Sequence, residues 1–226
     1  MTDTTLAVLG LGFALGARHA LEPDHLVAVS TFVSRNKSIA RSSLAGTIWG
    51  LGHTASLLIC GCAVLALRMN IPSGFVGWME TAVAVMLIAL GVNSLRLHVH
   101  FHTHDGRRHI HFHGHRREEL VVHDHRHVFK LGIRSFLVGM LHGLAGSGAL
   151  MALVTATIPS FLVGLTYILL FGLGSVGGML ILSSLISIPF VLSARRFQMF
   201  NYGLQLMTAL LSIALGLFWI SYGGTQ

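Results

Sequence analysis

The sequence GARHALEPDHLVAV, at residues 16–29, places five ionisable side chains within eight residues of one another. It lies inside an apolar run that extends over residues 4–33. An ionisable group within a membrane span is costly unless it faces a partner, a water-filled cavity or an ion. We therefore interpret this stretch as a functional site on a membrane helix. The five side chains are those of Arg18, His19, Glu22, Asp24 and His25.

Pro23 decides how these side chains can meet. On a regular helix the side chains of His19 and Asp24 would point about 140° apart, and His25 would point away from His19. Pro23 has no N–H to donate to the carbonyl of His19, so the helix must kink, widen or break there. A single widened π-type turn would bring residues five apart nearly into line. We expect the His19 imidazole and the Asp24 carboxylate to surround one point, with the His25 imidazole as a further candidate.

Two nitrogens and one oxygen suit a borderline divalent metal such as Ni(II), Co(II) or Zn(II) better than Mg(II) or Ca(II). The alternative is a structural polar cluster, in which Arg18 or another internal group neutralises Asp24. For Glu22, an ion pair with Arg18 or a role as proton carrier is favoured over primary metal ligation.

The composition predicts the class of protein. Of the 226 residues, 53% are hydrophobic and 10% are charged, and the mean hydropathy is +0.72. These values are typical of a helical membrane protein with several spans. The formal charge of +7 comes from basic residues that flank apolar runs without a recognition motif, so we expect no nucleic-acid partner. The first apolar run has no basic leader, and we expect it to remain as a working helix.

The apolar runs predict six membrane spans. The spans cover residues 4–33, 43–67, 77–97, 131–158, 160–192 and 200–222. With this number of spans, the lysines and arginines between them all fall on one side of the membrane except for Arg68. The positive-inside rule then places both termini outside and the loop between the third and fourth spans in the cytoplasm, for a protein of the inner (plasma) membrane.

Three short matches relate the two halves of the chain. GARHALEPDHLVA from residue 16 aligns without gaps on GMLHGLAGSGALM from residue 139, and WGLGHTAS from residue 49 aligns with FGLGSVGG from residue 171. IALG occurs at residues 88 and 213, so the three offsets are 123, 122 and 125 residues. Since each half holds three spans, the halves insert in opposite orientations, and substrate is expected to bind where their broken helices meet.

The predicted fold is therefore all-α, with six transmembrane helices arranged as two inverted three-helix repeats. Residues 1–97 form the first repeat with the metal motif, residues 98–128 a cytoplasmic loop, and residues 129–226 the second repeat. The second half has Ala-Gly-Ser-Gly where the first has Glu-Pro-Asp-His. This leaves His142, which aligns with His19, as its main candidate ligand.

His-x4-Asp-His on an early membrane helix resembles the signature of the nickel/cobalt transporters, with His19, Asp24 and His25 at the matching positions. The segments HALEPDH, GLGHTAS and LHGLAGSGAL resemble the small branch related to urease accessory transporters and nickel/cobalt exporters. The resemblance covers both membrane halves but not the loop. It implies Ni(II) as the transported ion, with Co(II) as a second candidate. It also implies no organic cofactor, and a cytoplasmic nickel chaperone or urease accessory proteins as candidate partners.

Two further histidines lie in predicted spans. His53 follows a glycine on the second span, and His142 is the fourth residue of the second repeat's matching segment. Each is a metal ligand or a relay group in one interpretation, and in the other it donates a hydrogen bond to a carbonyl. We include both in the candidate metal site.

The loop at residues 98–127 holds 11 of the 15 histidines. Alternation with a period of two would put the histidines of an extended strand on one face, and the Asp-Gly between the two runs favours a turn, which predicts a metal-binding hairpin. A disordered histidine-rich tract is the alternative, and either form would bind transition metal. We expect the loop to buffer, deliver or sense metal without being required for transport. The alternating histidines are His98, His100, His102, His104, His109, His111, His113 and His115.

The sequence thus predicts a permease, not an enzyme, for Ni(II) and as a second candidate Co(II). No nucleotide-binding P-loop is found, so energy must come from ion gradients or a partner. A membrane potential of about 100 mV contributes about 4.6 kcal/mol for a dication, which favours uptake. Three alternatives stay open: an efflux protein, a metal-sensing membrane protein, and a six-helix thiol-disulfide carrier. The carrier needs one reactive cysteine in each half, whereas Cys60 and Cys62 share one predicted helix.

Overall fold

The computed structural model describes residues 3–34, 36, 38–67, 73–96, 100–104, 107–111, 132–145, 158 and 160–223. Within these residues the chain forms seven helices and one two-stranded hairpin, so the predicted helical fold is confirmed. The elements in chain order are α1 Asp3–His19, α2 Pro23–Val33, α3 Ile39–Leu67, α4 Ser73–Arg96, β1 His100–His104, β2 Arg107–His111, α5 Gly132–Ala145, α6 Phe161–Arg196 and α7 Gln198–Gly223.

Four of these helices, α3, α4, α6 and α7, are long and apolar enough to cross a membrane. They coincide with the predicted second, third, fifth and sixth spans. The other two predicted spans differ from a simple crossing: the first is divided into α1 and α2, and the fourth is described only as the short apolar helix α5. The rest of the fourth span, apart from residue 158, lies outside the described residues.

The helix is interrupted between α1 and α2, so the predicted π-type turn at Pro23 is wrong. Instead of widening, α1 ends at His19, and α2 begins afresh with Pro23 in its first turn. The backbone N–H of Glu22 donates to the carbonyl of His19 at 3.0 Å. This bond satisfies the carbonyl that Pro23 cannot serve, and proline is favoured in the first turn of a helix, where its missing N–H costs nothing.

The helices pack at close distance where glycine replaces a side chain. Helix α6 packs against α1 and α3, and α4 packs against α7. A Cβ atom on Gly16 of α1 would overlap the carbonyl of Phe171 on α6, and a Cβ on Gly139 of α5 would overlap the carbonyl of Trp49 on α3. Glycine lets membrane helices approach to backbone contact, which is a principal source of their packing energy.

We expect Gly16→Ala to destabilise the protein, because neither backbone at this contact can move without separating α1 from α6. Gly10→Ala in the same helix is the matched control, since a Cβ there meets nothing within 4 Å and alanine is the better helix former by about 1 kcal/mol. Thermal unfolding of the purified proteins in detergent checks this: Gly16→Ala should unfold at a lower temperature than both the wild type and Gly10→Ala. Equal unfolding temperatures would contradict it.

The histidine-rich loop contains the predicted antiparallel hairpin. Strand β1 pairs with β2 so that His100 lies opposite His111 and His102 lies opposite His109. Five of the eight alternating histidines belong to these strands. His98, His113 and His115 lie outside the described residues.

Candidate metal centre

Four histidines from four different helices meet in the helical part of the protein. His19 ends α1, His25 lies in the first turn of α2, His53 in the middle of α3 and His142 in α5. The rings of His25 and His142 stack with their centroids 3.9 Å apart, and the ring of His19 lies 4.5 Å from that of His25 and 5.1 Å from that of His53. His25, His53 and His142 are fully buried.

The Asp24 carboxylate joins two of these imidazoles. Its Oδ2 atom accepts a hydrogen bond from Nε2 of His142 at 2.8 Å, and its Oδ1 atom accepts one from Nδ1 of His25 at 3.1 Å. The backbone N–H of His25 also donates to Oδ1, at 2.9 Å. An ionised carboxylate can only accept, so these bonds fix which ring nitrogens carry hydrogen. Asp24 of α2 thus connects this helix to α5 through its hydrogen bond with His142.

Several ring nitrogens of this cluster have no partner among the described residues. They are buried, and they comprise Nε2 of His25, Nδ1 of His142 and both ring nitrogens of His53. A buried polar atom without a hydrogen bond costs roughly 1–3 kcal/mol, so a run of them in one place calls for an explanation. Neutral imidazole nitrogen is a common ligand for transition metals, and a bound cation would satisfy these atoms.

The candidate ligand atoms of the described residues form two groups. One comprises His19, His25 and His53, and the other comprises Asp24, His25 and His142; within each group the ligand atoms all lie within 4.8 Å of one another. Ligands about 2.1 Å from a divalent ion are separated by roughly 3–4 Å, so small side-chain rotations would close either group on an ion. The first group offers nitrogen alone, and the second offers two nitrogens and an anionic oxygen.

All five residues that the sequence places in the candidate site come together, but not around one point. His19 and Asp24, which we expected to meet, belong to different groups, and His25 is the member that the groups share. Asp24 lies against His25 and His142, and no ion pair joins it to Arg18 among the described residues, so the structural alternative stays open only in the form with another internal group. Glu22 pairs with His19, Nδ1 to Oε2 at 2.9 Å, whereas the sequence favoured an ion pair with Arg18 or a role as proton carrier.

Two aromatic side chains lie next to the centre and were not among the predicted site residues. The ring of Phe171 lies 5.4 Å from that of His19, and the indole of Trp49 lies 5.9 Å from the ring of His142. Both aromatic side chains are buried. They precede Gly-Leu-Gly in the two aligned segments, so the alignment of WGLG with FGLG was the available signal.

Two known proteins are similar to this chain over most of its length. The chain is 39% identical over 220 residues to the urease accessory protein UreH of Bacillus sp. (strain TB-90), covering 94% of this chain and 90% of that protein. It is 26% identical over 165 residues to the "Putative nickel/cobalt efflux system" of Methanocaldococcus jannaschii, covering 72% of this chain and 67% of the archaeal protein.

A plant relative is also similar over most of the chain. Chloroplast protein FOR GROWTH AND FERTILITY 2 of Arabidopsis thaliana is 26% identical over 175 residues, which span 73% of this chain but only 43% of the plant protein. No family-wide sequence model matches the chain, and no solved structure matches it.

The relatives with a stated role are accessory and transport proteins, in agreement with the expectation that this protein is not an enzyme. The similarity to UreH extends over nearly the whole chain, and four of the described helices can cross a membrane. This multi-pass membrane protein therefore belongs to the family of the urease accessory protein UreH, and the archaeal nickel/cobalt efflux system is a more distant relative.

Proposed function

We propose that the protein is a permease that carries Ni(II), with Co(II) as a second cargo, through the centre formed by His19, Asp24, His25, His53 and His142. The observation that supports this most directly is a carboxylate bound to two buried imidazoles, beside ring nitrogens that have no partner in the described part of the chain. In a membrane protein such a cluster is costly unless an ion or a proton occupies it at some stage. The names of UreH and of the archaeal relative agree with nickel or cobalt as the cargo.

We further propose that the chain has six membrane elements in two inverted repeats, with α1 and α2 forming the first and α5 beginning the fourth. Contacts exchanged between the halves support this. Gly16 lies against Phe171, and Gly139 lies against Trp49. The two glycines are 123 residues apart in sequence and the two aromatic residues are 122 apart, so each contact is the repeat equivalent of the other. Two further pairs of contacts are equivalent in the same way. The contact of Gly174 with Phe13 corresponds to that of Gly52 with Phe136, and the contact of Gly91 with Ala209 corresponds to that of Gly216 with Ala84.

The metal centre follows the same relation. His19 lies beside Phe171, and His142, which aligns with His19, lies beside Trp49. A twofold relation between halves of opposite orientation would put these two histidines on the two approaches to one central site. Substrate sites of transporters with inverted repeats lie at such a junction. The halves correspond to residues 1–97 and 129–226, with the loop at residues 98–128 between them.

We propose uptake as the direction, with the loop in the cytoplasm and both termini outside. The support is energetic: a potential of about 100 mV, negative inside, contributes about 4.6 kcal/mol to the entry of a dication, whereas efflux needs proton exchange or another source. The loop would then receive metal after transport and pass it to a cytoplasmic nickel chaperone or to urease accessory proteins. Efflux is the second candidate, because of the name of the archaeal relative.

Metal flux in proteoliposomes tests this proposal. A protease site inserted next to Gly114 reports the orientation of each molecule, since a cytoplasmic loop is cut only from that side. Ni(II) entering from the opposite side should accelerate when the loop side is made negative, and deletion of residues 98–127 should lower the amount of metal bound without stopping flux. Flux that requires a proton gradient in the outward direction would establish efflux, and metal binding without flux in either direction would establish a sensor.

The thiol-disulfide carrier is disfavoured by the structure. Cys60 and Cys62 both lie in α3, and the second half contains no cysteine. A carrier of that type needs a reactive cysteine in each half.

A further inference from the structure

Glu22 occupies the outer end of the metal centre. Its side chain is 53% exposed, whereas that of His19, to which it is bound at 2.9 Å, is 12% exposed. Next to His19 lie the fully buried rings of His25 and His53. Exposure therefore falls step by step from an anionic side chain in contact with solvent to neutral ligands in the interior.

The other end of the centre is less open than Glu22, because the Asp24 side chain is 17% exposed. His142 is 1% exposed and lies behind Trp49, which is fully buried. Glu22 is therefore the most exposed side chain beside the centre, at 53% against 17% for Asp24 and 12% for His19.

Glu22 holds its position through its backbone, which leaves the carboxylate available. Its N–H donates to the carbonyl of His19 at 3.0 Å, and its carbonyl accepts from the N–H of Leu26 at 2.9 Å. Glu22 is the N-cap residue of α2, but its side chain makes no capping hydrogen bond. The carboxylate thus does not cap the helix. Its polar contact is with His19, which belongs to the ligand group of His19, His25 and His53.

From these observations we infer that Glu22 is the outer ligand that collects the divalent cation and loads the His19–His25–His53 group. The inference rests on the proposed function, because it names the first step of transport through the same centre. A dication that binds the Glu22 carboxylate draws it away from the imidazole and frees a nitrogen of His19 for the ion. We call His19, His25 and His53 the outer group, because it adjoins Glu22, and Asp24, His25 and His142 the inner group. His25 belongs to both groups and passes the ion from the outer group to the inner one.

Glu22 should therefore determine the metal concentration that gives half-maximal flux, and not the maximal flux of a loaded site. In full-length protein, we expect Glu22→Gln to raise the Ni(II) concentration for half-maximal flux about tenfold, with the maximal flux unchanged within about twofold; loss of one charge-assisted contact is commonly of this size. Glu22→Asp should recover most of the loss. Glu80→Gln is the matched control, because it removes the same charge from α4, a helix that contributes no residue to either ligand group.

Trp49 provides a measurement of binding that does not depend on flux. The protein has three tryptophans, of which Trp78 and Trp219 are 75% and 38% exposed. In a Trp78→Phe, Trp219→Phe background, Trp49 beside His142 becomes the one emitter, and paramagnetic Co(II) at the inner group should quench it. Adding Glu22→Gln should move the midpoint of quenching to about tenfold higher Co(II).

An unchanged quenching midpoint together with an unchanged half-maximal concentration would overturn the inference. A Glu22→Gln protein without flux at saturating Ni(II) would also overturn it, since Glu22 would then serve the crossing or the fold instead of collection. Wild-type protein that is quenched by Co(II) but carries no metal would contradict the proposed transport, while the shift of the Trp49 midpoint would still decide the role of Glu22.

Discussion

Purified Asp24→Asn protein is expected to insert and fold but to lose high-affinity Ni(II) transport. The substitution keeps the shape of the side chain and removes the negative charge of the Asp24–His25–His142 group. Two unit charges about 4 Å apart interact by about 4 kcal/mol at an effective dielectric constant of 20, and a dication gains more. We therefore expect the flux at low Ni(II) to fall by more than about a hundredfold.

The asparagine side chain also changes the hydrogen bonding. Its amide oxygen can accept from one imidazole, but its NH2 group would face the N–H of the other, so the second bond is kept only if that imidazole changes to its other tautomer. Size-exclusion chromatography and thermal unfolding show whether the variant is folded, and the proteoliposome assay gives its flux. Asp3→Asn, at the start of α1, is the control for the same chemical change elsewhere. Transport by Asp24→Asn at the wild-type rate and affinity would make the cluster structural.

The sequence was sufficient for the features that depend on local chemistry. Hydropathy predicted the helices, and the missing N–H of Pro23 predicted an interruption after His19, where α1 ends. The alternation of histidines around Asp-Gly predicted the hairpin of β1 and β2. Each of these follows from neighbouring residues, so no knowledge of the packing was needed.

The sequence was insufficient where distant residues compete for one partner. Asp24 accepts from His142, which is 118 residues away along the chain, and no local rule selects that imidazole over His19. The form of the interruption was equally undetermined: a widened turn would have aligned His19 with Asp24, whereas the break starts a new helix and turns Asp24 toward α5. The close contacts of α1 with α6 at Gly16 and of α5 with α3 at Gly139 join residues distant in the sequence, so no local rule predicts them.

His25→Ala is the second substitution for which we expect a nearly complete loss of flux, because His25 alone belongs to both ligand groups. His19→Ala and His53→Ala each remove one nitrogen from the outer group and leave the inner group intact. His142→Ala removes one nitrogen from the inner group. Loss of His25 leaves each group with two ligands and also removes the ring that stacks on His142 at 3.9 Å.

The order of the losses distinguishes a shared ligand from four equivalent ones. Flux at a fixed low Ni(II) concentration should be smallest for His25→Ala, and it should be graded for the alanine variants of His19, His53 and His142. The double variant His25→Ala, His53→Ala should transport no less than His25→Ala alone, since the outer group is already broken. His25→Gln controls for the cavity, because glutamine fills much of the space and can still donate to Asp24. If His25→Ala retained as much flux as His53→Ala, the ion would bind without the shared imidazole, and the two groups could not be successive positions on one path.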